Sequence, residues 1–148
     1  MKTTEFRSAL AGHPFVKGMS DAHLEVLSEL ALPVHFEAGE FIFRRGDPAN
    51  RFYLIKTGRV AIGCLSAEHT ITQIVSPGEV VGWSWLLPPY EWSLDAKTLT
   101  PVDSVFIYAT PLRDVCEENH ALGYEFMKRA VETMAERKAC QGCGKGPR

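Results

Sequence analysis

Short runs of β-forming residues from Val34 to Ala109, broken by glycine-bearing turns and bracketed by two helical patterns, predict an α+β domain that is mainly β. The strand spacing is that of a compact barrel or sandwich, with a short helical region before it and two helices after it. No internal repeat or change of composition marks a second domain.

Ser20 and Asp21 form a helix start, and Leu24, Leu27 and Ala31 fall at i, i+3 and i+7, giving one buried face of a short lid helix that ends before Pro33. A shorter helical piece is expected around Thr4 to Ala11. The β runs follow as VHFEAGE, FIFRRGDPAN, RFYLIKTG, RVAIGCL, TITQIVSPGEV, LDAKTL and SVFIYA. Gly39, Gly46, Gly58 and Gly78 sit at the breaks, where positive φ is expected. Thr110 as N-cap with Pro111 at the first helical position predicts a helix to about Cys116. A longer helix is expected from Asn119 to about Lys138. Along it Leu122, Phe126, Ala130 and Met134 step by four, with Met127 and Val131 beside them, so a wide stripe must be covered by the same chain or by a partner.

A chain of 148 residues, 45% hydrophobic and 23% charged, can bury a proper core. Sixteen Lys and Arg against 18 Asp and Glu give a net charge of -2 without a basic run, so direct DNA binding is not expected. The segment from Met1 to Phe15 lacks the apolar stretch of a secretory signal, and Val80 to Leu87 is far too short for a membrane span. A cytoplasmic protein without membrane attachment is expected. The histidines His13, His23, His35, His69 and His120 show no ligand spacing, and no metal is expected. Neither GxSxG, HExxH nor a Walker loop is present, and no Cys–His pair has a supporting motif, so the chain does not read as an enzyme. Cys64 and Cys116 are expected to be reduced. Cys140 and Cys143 make a lone CxxC in residues 139–148, which read as a flexible Gly/Cys tail rather than a zinc or redox site.

The segment FEAGEFIFRRGDPANRFYLIKTGRVAI, with Gly39-Glu40, Gly46-Asp47 and Gly58 at its turns, is followed by Pro77-Gly78-Glu79 leading into Val80-Val81-Gly82. In combination these resemble the cyclic-nucleotide-binding domain of catabolite-activator-type regulators, kinase regulatory subunits and gated channels, over roughly Phe15 to Lys138. The resemblance implies a double-stranded β-helix, a jelly-roll-like β-roll, occupying residues 1–138. It also implies a phosphate-binding cassette: a short helix after a glycine offers backbone N–H groups to the anion, an arginine supplies a bidentate charge, and a glutamate accepts the ribose hydroxyl.

Gly82 matches the family's glycine, but Trp83 stands where the glutamate is expected, and Trp92-Ser93 stand where arginine and a small residue are expected. The nearest cation is Lys97, which shares one side of a strand with Ser93, Asp95 and Leu99 by period two. It would give a point charge without arginine's planar fork, with Asp95 opposing an anion. The candidate cassette is therefore Gly82, Trp83, Ser84, Trp85, Trp92, Ser93 and Lys97. Two readings stay open. Trp83, Trp85, Tyr90 and Trp92 form an aromatic pocket for a small planar ligand, or their rings fill the vacated cavity. No cofactor is required, and ordinary cyclic AMP binding is not expected. The cysteine cluster of the family's oxygen-sensing members is missing before Cys64. With no recognition helix after the long helix, the resemblance implies a sensor or adaptor that contacts a small molecule, a protein partner or a second copy through Leu122, Phe126, Ala130 and Met134.

Overall fold

The computed structural model describes residues 10, 12–66, 68–86 and 88–144, with side chains in the last helix described through residue 133. The chain divides into two compact units, residues 1–113 and 114–148.

In the first unit, a 3-10 turn at Pro14–Val16 precedes helix α1 (Asp21–Glu29). The Ser20 hydroxyl caps α1 by accepting a hydrogen bond from the His23 N–H at 3.2 Å. Eight strands follow: β1 (Ala31–Phe36), β2 (Phe41–Phe43), β3 (Arg51–Thr57), β4 (Val60–Cys64), β5 (Thr70–Val75), β6 (Val80–Val81), β7 (Asp95–Thr98) and β8 (Val102–Tyr108). They form two antiparallel four-stranded sheets, ordered β1-β8-β3-β6 and β2-β7-β4-β5. Every expected β run contains a strand. The four turn glycines all take positive φ.

Ala31 and Pro33 depart from the sequence reading. Ala31 is buried, but as the first residue of β1 rather than on the face of α1. Pro33 lies inside β1, an edge strand, where a missing N–H leaves no central ladder bond unmade. Of the helical piece expected at Thr4 to Ala11, only Leu10 is among the described residues.

The first sheet is covered on both faces. Its inner face sends Tyr53, Ile55, Val81, Val102 and Phe106 into one cluster with Val60, Val75 and Ala96 of the second sheet. Strand alternation then turns Phe52, Leu54 and Ile107 outward, and all three are fully buried in a second apolar layer. Phe15 packs edge-on against Phe52 there, 5.3 Å between ring centroids. His13 fixes that layer: its Nδ1 accepts from the Phe15 N–H, and its Nε2 donates to the Ile55 carbonyl at 3.0 Å.

Helix α2 spans Ala109–Glu118, starting two residues before Pro111, the first helical position that Thr110 as N-cap implies. Helix α3 spans His120–Gly144, with the Asn119 side chain accepting from the Leu122 N–H. It continues six residues past the expected end at Lys138, through Ala139, Cys140 and Gln141, which helices tolerate, and stops at Gly144. Leu122, Phe126 and Ala130 are buried within the chain itself; the outward apolar residues are Tyr124, Met127 and Val131. The side chains of Met134, Cys140 and Cys143 lie outside the described residues. No helix among the described residues is long and apolar enough to cross a membrane.

Candidate functional site

The cassette begins where β6 ends. Gly82 has φ +102°, and a Cβ there would stand 2.7 Å from Cη2 and 2.9 Å from Cζ3 of Trp92. A side chain at position 82 is thus excluded by the indole as well as by the backbone. The indole lies flat on Phe43, with 3.7 Å between centroids and 8° between planes. Backbone bonds hold its position: Trp92 N–H donates to the Asp47 carbonyl at 2.9 Å, and Gly46 N–H donates to the Trp92 carbonyl at 2.8 Å. Among the described residues no helix follows the glycine; residues 84 and 85 make a turn closed by Leu86 N–H donating to the Trp83 carbonyl.

The structure separates the aromatic residues that the sequence groups together. Trp83 packs on Phe52 (4.8 Å) and Phe15 (5.8 Å), and Trp85 on Phe52 (5.5 Å), so both belong to the outer layer of the first sheet. Tyr90 lies under the Arg113 guanidinium, 4.0 Å from Cζ to the ring centroid, and the same guanidinium donates to the Trp85 carbonyl at 2.7 Å. Only Trp92 stacks on Phe43, a residue packed against the interior cluster. A four-ring pocket is therefore not assembled. Ser84 is half-buried and Ser93 is exposed.

Lys97 does not stand in for the arginine. Its neighbour Ala96 belongs to the interior cluster, so alternation sends Lys97 to the outer face of the second sheet. Its Nζ lies 5.2 Å from the ring centroid of Phe41, its register partner on β2. Asp95 has a structural task. Its carboxylate accepts from the N–H groups of Arg45 (2.8 Å), Leu65 (2.9 Å) and Ser66 (3.0 Å), tying two turns to β7. Burial pushes this carboxyl up, but those backbone bonds outweigh it and hold the group below its ordinary value.

Arg51, at the start of β3, is the cation that the motif-based reading missed. Alternation places it with Tyr53 and Ile55 on the inner face, and its Cζ sits 4.3 Å over the Phe106 ring. Burial raises the Tyr53 phenol above its ordinary value, while the charge of Arg51 pulls the other way. The period of RFYLI carried this signal, since positions 51, 53 and 55 share a face. Elsewhere, a shallow depression of about 530 Å³ is lined by residues including Pro33, His35, Lys56, Thr57 and Asp103, away from the cassette. No group of three or more His, Cys, Asp or Glu among the described residues is placed to hold a metal.

Residues 33–119, more than half of the chain, match the family model described as cyclic nucleotide-binding domain. The CRP-like cAMP-activated global transcriptional regulator of Mycobacterium tuberculosis is 27% identical over 106 residues, covering 70% of this chain and 47% of that protein. The acetyltransferase Pat of Mycolicibacterium smegmatis is 37% identical over 81 residues, covering 53% of this chain and 24% of that protein. The chain thus spans about half of the first relative and about a quarter of the second. Among solved structures, a Geobacter metallireducens protein assigned to cyclic nucleotide binding superposes with a TM-score of 0.81 at 27% identity, covering 88% of this chain and 96% of that one. The two-sheet roll, the cassette glycine at its place after β6 and these matches agree: the chain belongs to the cyclic nucleotide-binding domain family.

Proposed function

We propose that this chain is a non-catalytic regulatory domain whose cyclic-phosphate site is closed, so that it does not answer to cyclic AMP or cyclic GMP. The observation that carries this reading is the Trp92 indole, stacked on Phe43 and lying against Gly82 in the position that would be expected to hold the phosphate's arginine. A cyclic phosphate brought there would be desolvated beside an indole, without the bidentate cation or the helix N-terminus that offsets the cost. Trp83, standing for the ribose glutamate, is turned into the outer layer.

Titration with cyclic AMP and cyclic GMP to millimolar concentration, followed by tryptophan fluorescence and thermal unfolding, tests this. A flat fluorescence trace and an unchanged Tm are expected. A saturable change, or a Tm rising with nucleotide, overturns the reading, because a ligand at 100 times its Kd adds about 2.7 kcal/mol to stability.

What such a domain reports is either another small ligand, through a shift of α3, or a protein contact made without any ligand. The outward Tyr124, Met127 and Val131 favour the second, since they leave an apolar stripe along α3 on the side away from Leu122, Phe126 and Ala130.

A further inference from the structure

We propose that β5 pairs along its open edge with β5 of a second copy, antiparallel about a two-fold axis, so that the β2-β7-β4-β5 sheets of two chains become one. This contact does not depend on the cassette being closed.

Among the described residues β5 is an edge of its sheet. Its sequence TITQIV is rich in β-branched residues, uncharged and free of proline, so its side chains carry none of the usual devices that keep an edge from pairing. Ile71 and Ile74 are 50% and 40% exposed. A bulge brings them onto one face. Val60 and Val75 stand opposite one another in the interior cluster, so Ile74, opposite Ala61, turns outward. One extra residue, Thr72, then shifts the register, so that Ile71 stands opposite Gly63 and turns outward as well. Gly63 makes the bulge possible: a Cβ there would stand 3.0 Å from both the Ile71 Cα and the Thr72 backbone nitrogen.

The backbone obeys the same count. Leu99 N–H donates to the Arg59 carbonyl at 2.9 Å, so Arg59, Ala61 and Gly63 aim their backbone groups at β7, and Val60, Ile62 and Cys64 aim theirs at β5. Val75, Gln73 and Thr70 are the partners of those three, which leaves Ile74 and Ile71 with N–H and C=O directed away from β4. A regular strand presents such groups at every second residue and meets only one of the two isoleucines in register. Another β5 carries the same spacing. Setting Ile71 against Ile74 of the second copy, and Ile74 against its Ile71, pairs the backbone groups of both and gathers the isoleucines of the two chains on the outer face. The same register puts Thr70 opposite Val75, His69 opposite Ser76 and Glu68 opposite Pro77, so no two like charges face each other.

Sedimentation of the whole chain over a concentration series reads the association, and circular dichroism establishes that each variant is folded. A monomer–dimer equilibrium is expected for the wild type, with the Ile71 and Ile74 amides, quick to exchange in dilute solution, slowing as the dimer fills. Ile71→Lys and Ile74→Glu each set a charge against an isoleucine at both symmetry-related places, and each is expected to weaken the dimer about tenfold. Combined in one chain, the introduced lysine meets the introduced glutamate of the other copy, and the double variant is expected to recover most of the loss. Val131→Lys, in the outward stripe of α3, is expected to leave the association unchanged. A wild-type chain that stays monomeric up to millimolar concentration overturns the proposal. So does a dimer indifferent to both single variants, a double variant no better than either, or a dimer whose Ile71 and Ile74 amides exchange as fast as in the monomer.

Discussion

At the scale of single residues, Gly82 shows how one amino acid serves two constraints. Its φ of +102° strains any side chain, and the Trp92 ring stands where a Cβ would go. Gly46 has φ +93° but open space around the same virtual atom, so it carries the backbone constraint alone. Gly46→Ala is expected to cost about 1 kcal/mol and Gly82→Ala at least about 2 kcal/mol more, by urea denaturation. Equal losses would mean that the indole yields freely. His13 gives the pH dependence. Burial lowers its pKa from 6.5, against hydrogen bonds to the Ile55 and Glu79 backbone that raise it. The unfolded chain therefore takes up the proton first as pH falls. The stability from neutral His13 is fully present above about pH 6.5 and is lost as pH drops below it. His35 has the opposite sign: exposed, and held above its ordinary value by Asp103 and Glu37, it favours the fold below about pH 6.5 and ceases to do so as pH rises through its folded pKa. Wild-type Tm is expected to fall more between pH 7.5 and 5.5 than that of His13→Gln; parallel curves would refute the assignment.

At the scale of elements, β3 and β8 occupy the middle of a sheet packed on both faces, and β5 is a largely exposed edge strand. Amide hydrogen exchange should be slowest in Phe52 to Ile55 and Val105 to Ile107 and markedly faster along Thr70 to Ile74. Uniform protection would mean that the roll opens only as a whole. Strand positions were legible because runs such as RFYLIKTG and SVFIYA are bounded by turn residues, and glycine supplied the turns. The sides of those strands were harder to assign. In β7 the buried acid Asp95 breaks the usual rule that polar residues face water, so parity grouped Lys97 correctly with Asp95 without telling which face was inside. The three tryptophans share a stretch of ten residues but not a pocket, because the chain crosses from the outer layer to the interior between Trp85 and Trp92. Arg51 lay outside the cassette motif, although alternation already placed it beside Tyr53 and Ile55.

At the scale of the whole molecule, a single sheet is shared between two apolar layers: the roll interior on one face, and Phe15, Trp83 and Trp85 against Phe52 on the other. This arrangement limits redesign. Giving the chain back the family's charges by Trp83→Glu and Trp92→Arg would not recreate a cyclic AMP receptor. The new carboxylate would be thrust between Phe15 and Phe52, on the wrong side of the sheet to meet a ribose, and the new guanidinium would replace the ring that Phe43 and Gly82 rest upon. The double variant is expected to lose several degrees of Tm and to remain silent to cyclic AMP; a gain of saturable binding would refute this. If the cassette is closed as proposed, a nucleotide response calls for re-routing the backbone after β6 first, so the barrier is architectural rather than chemical.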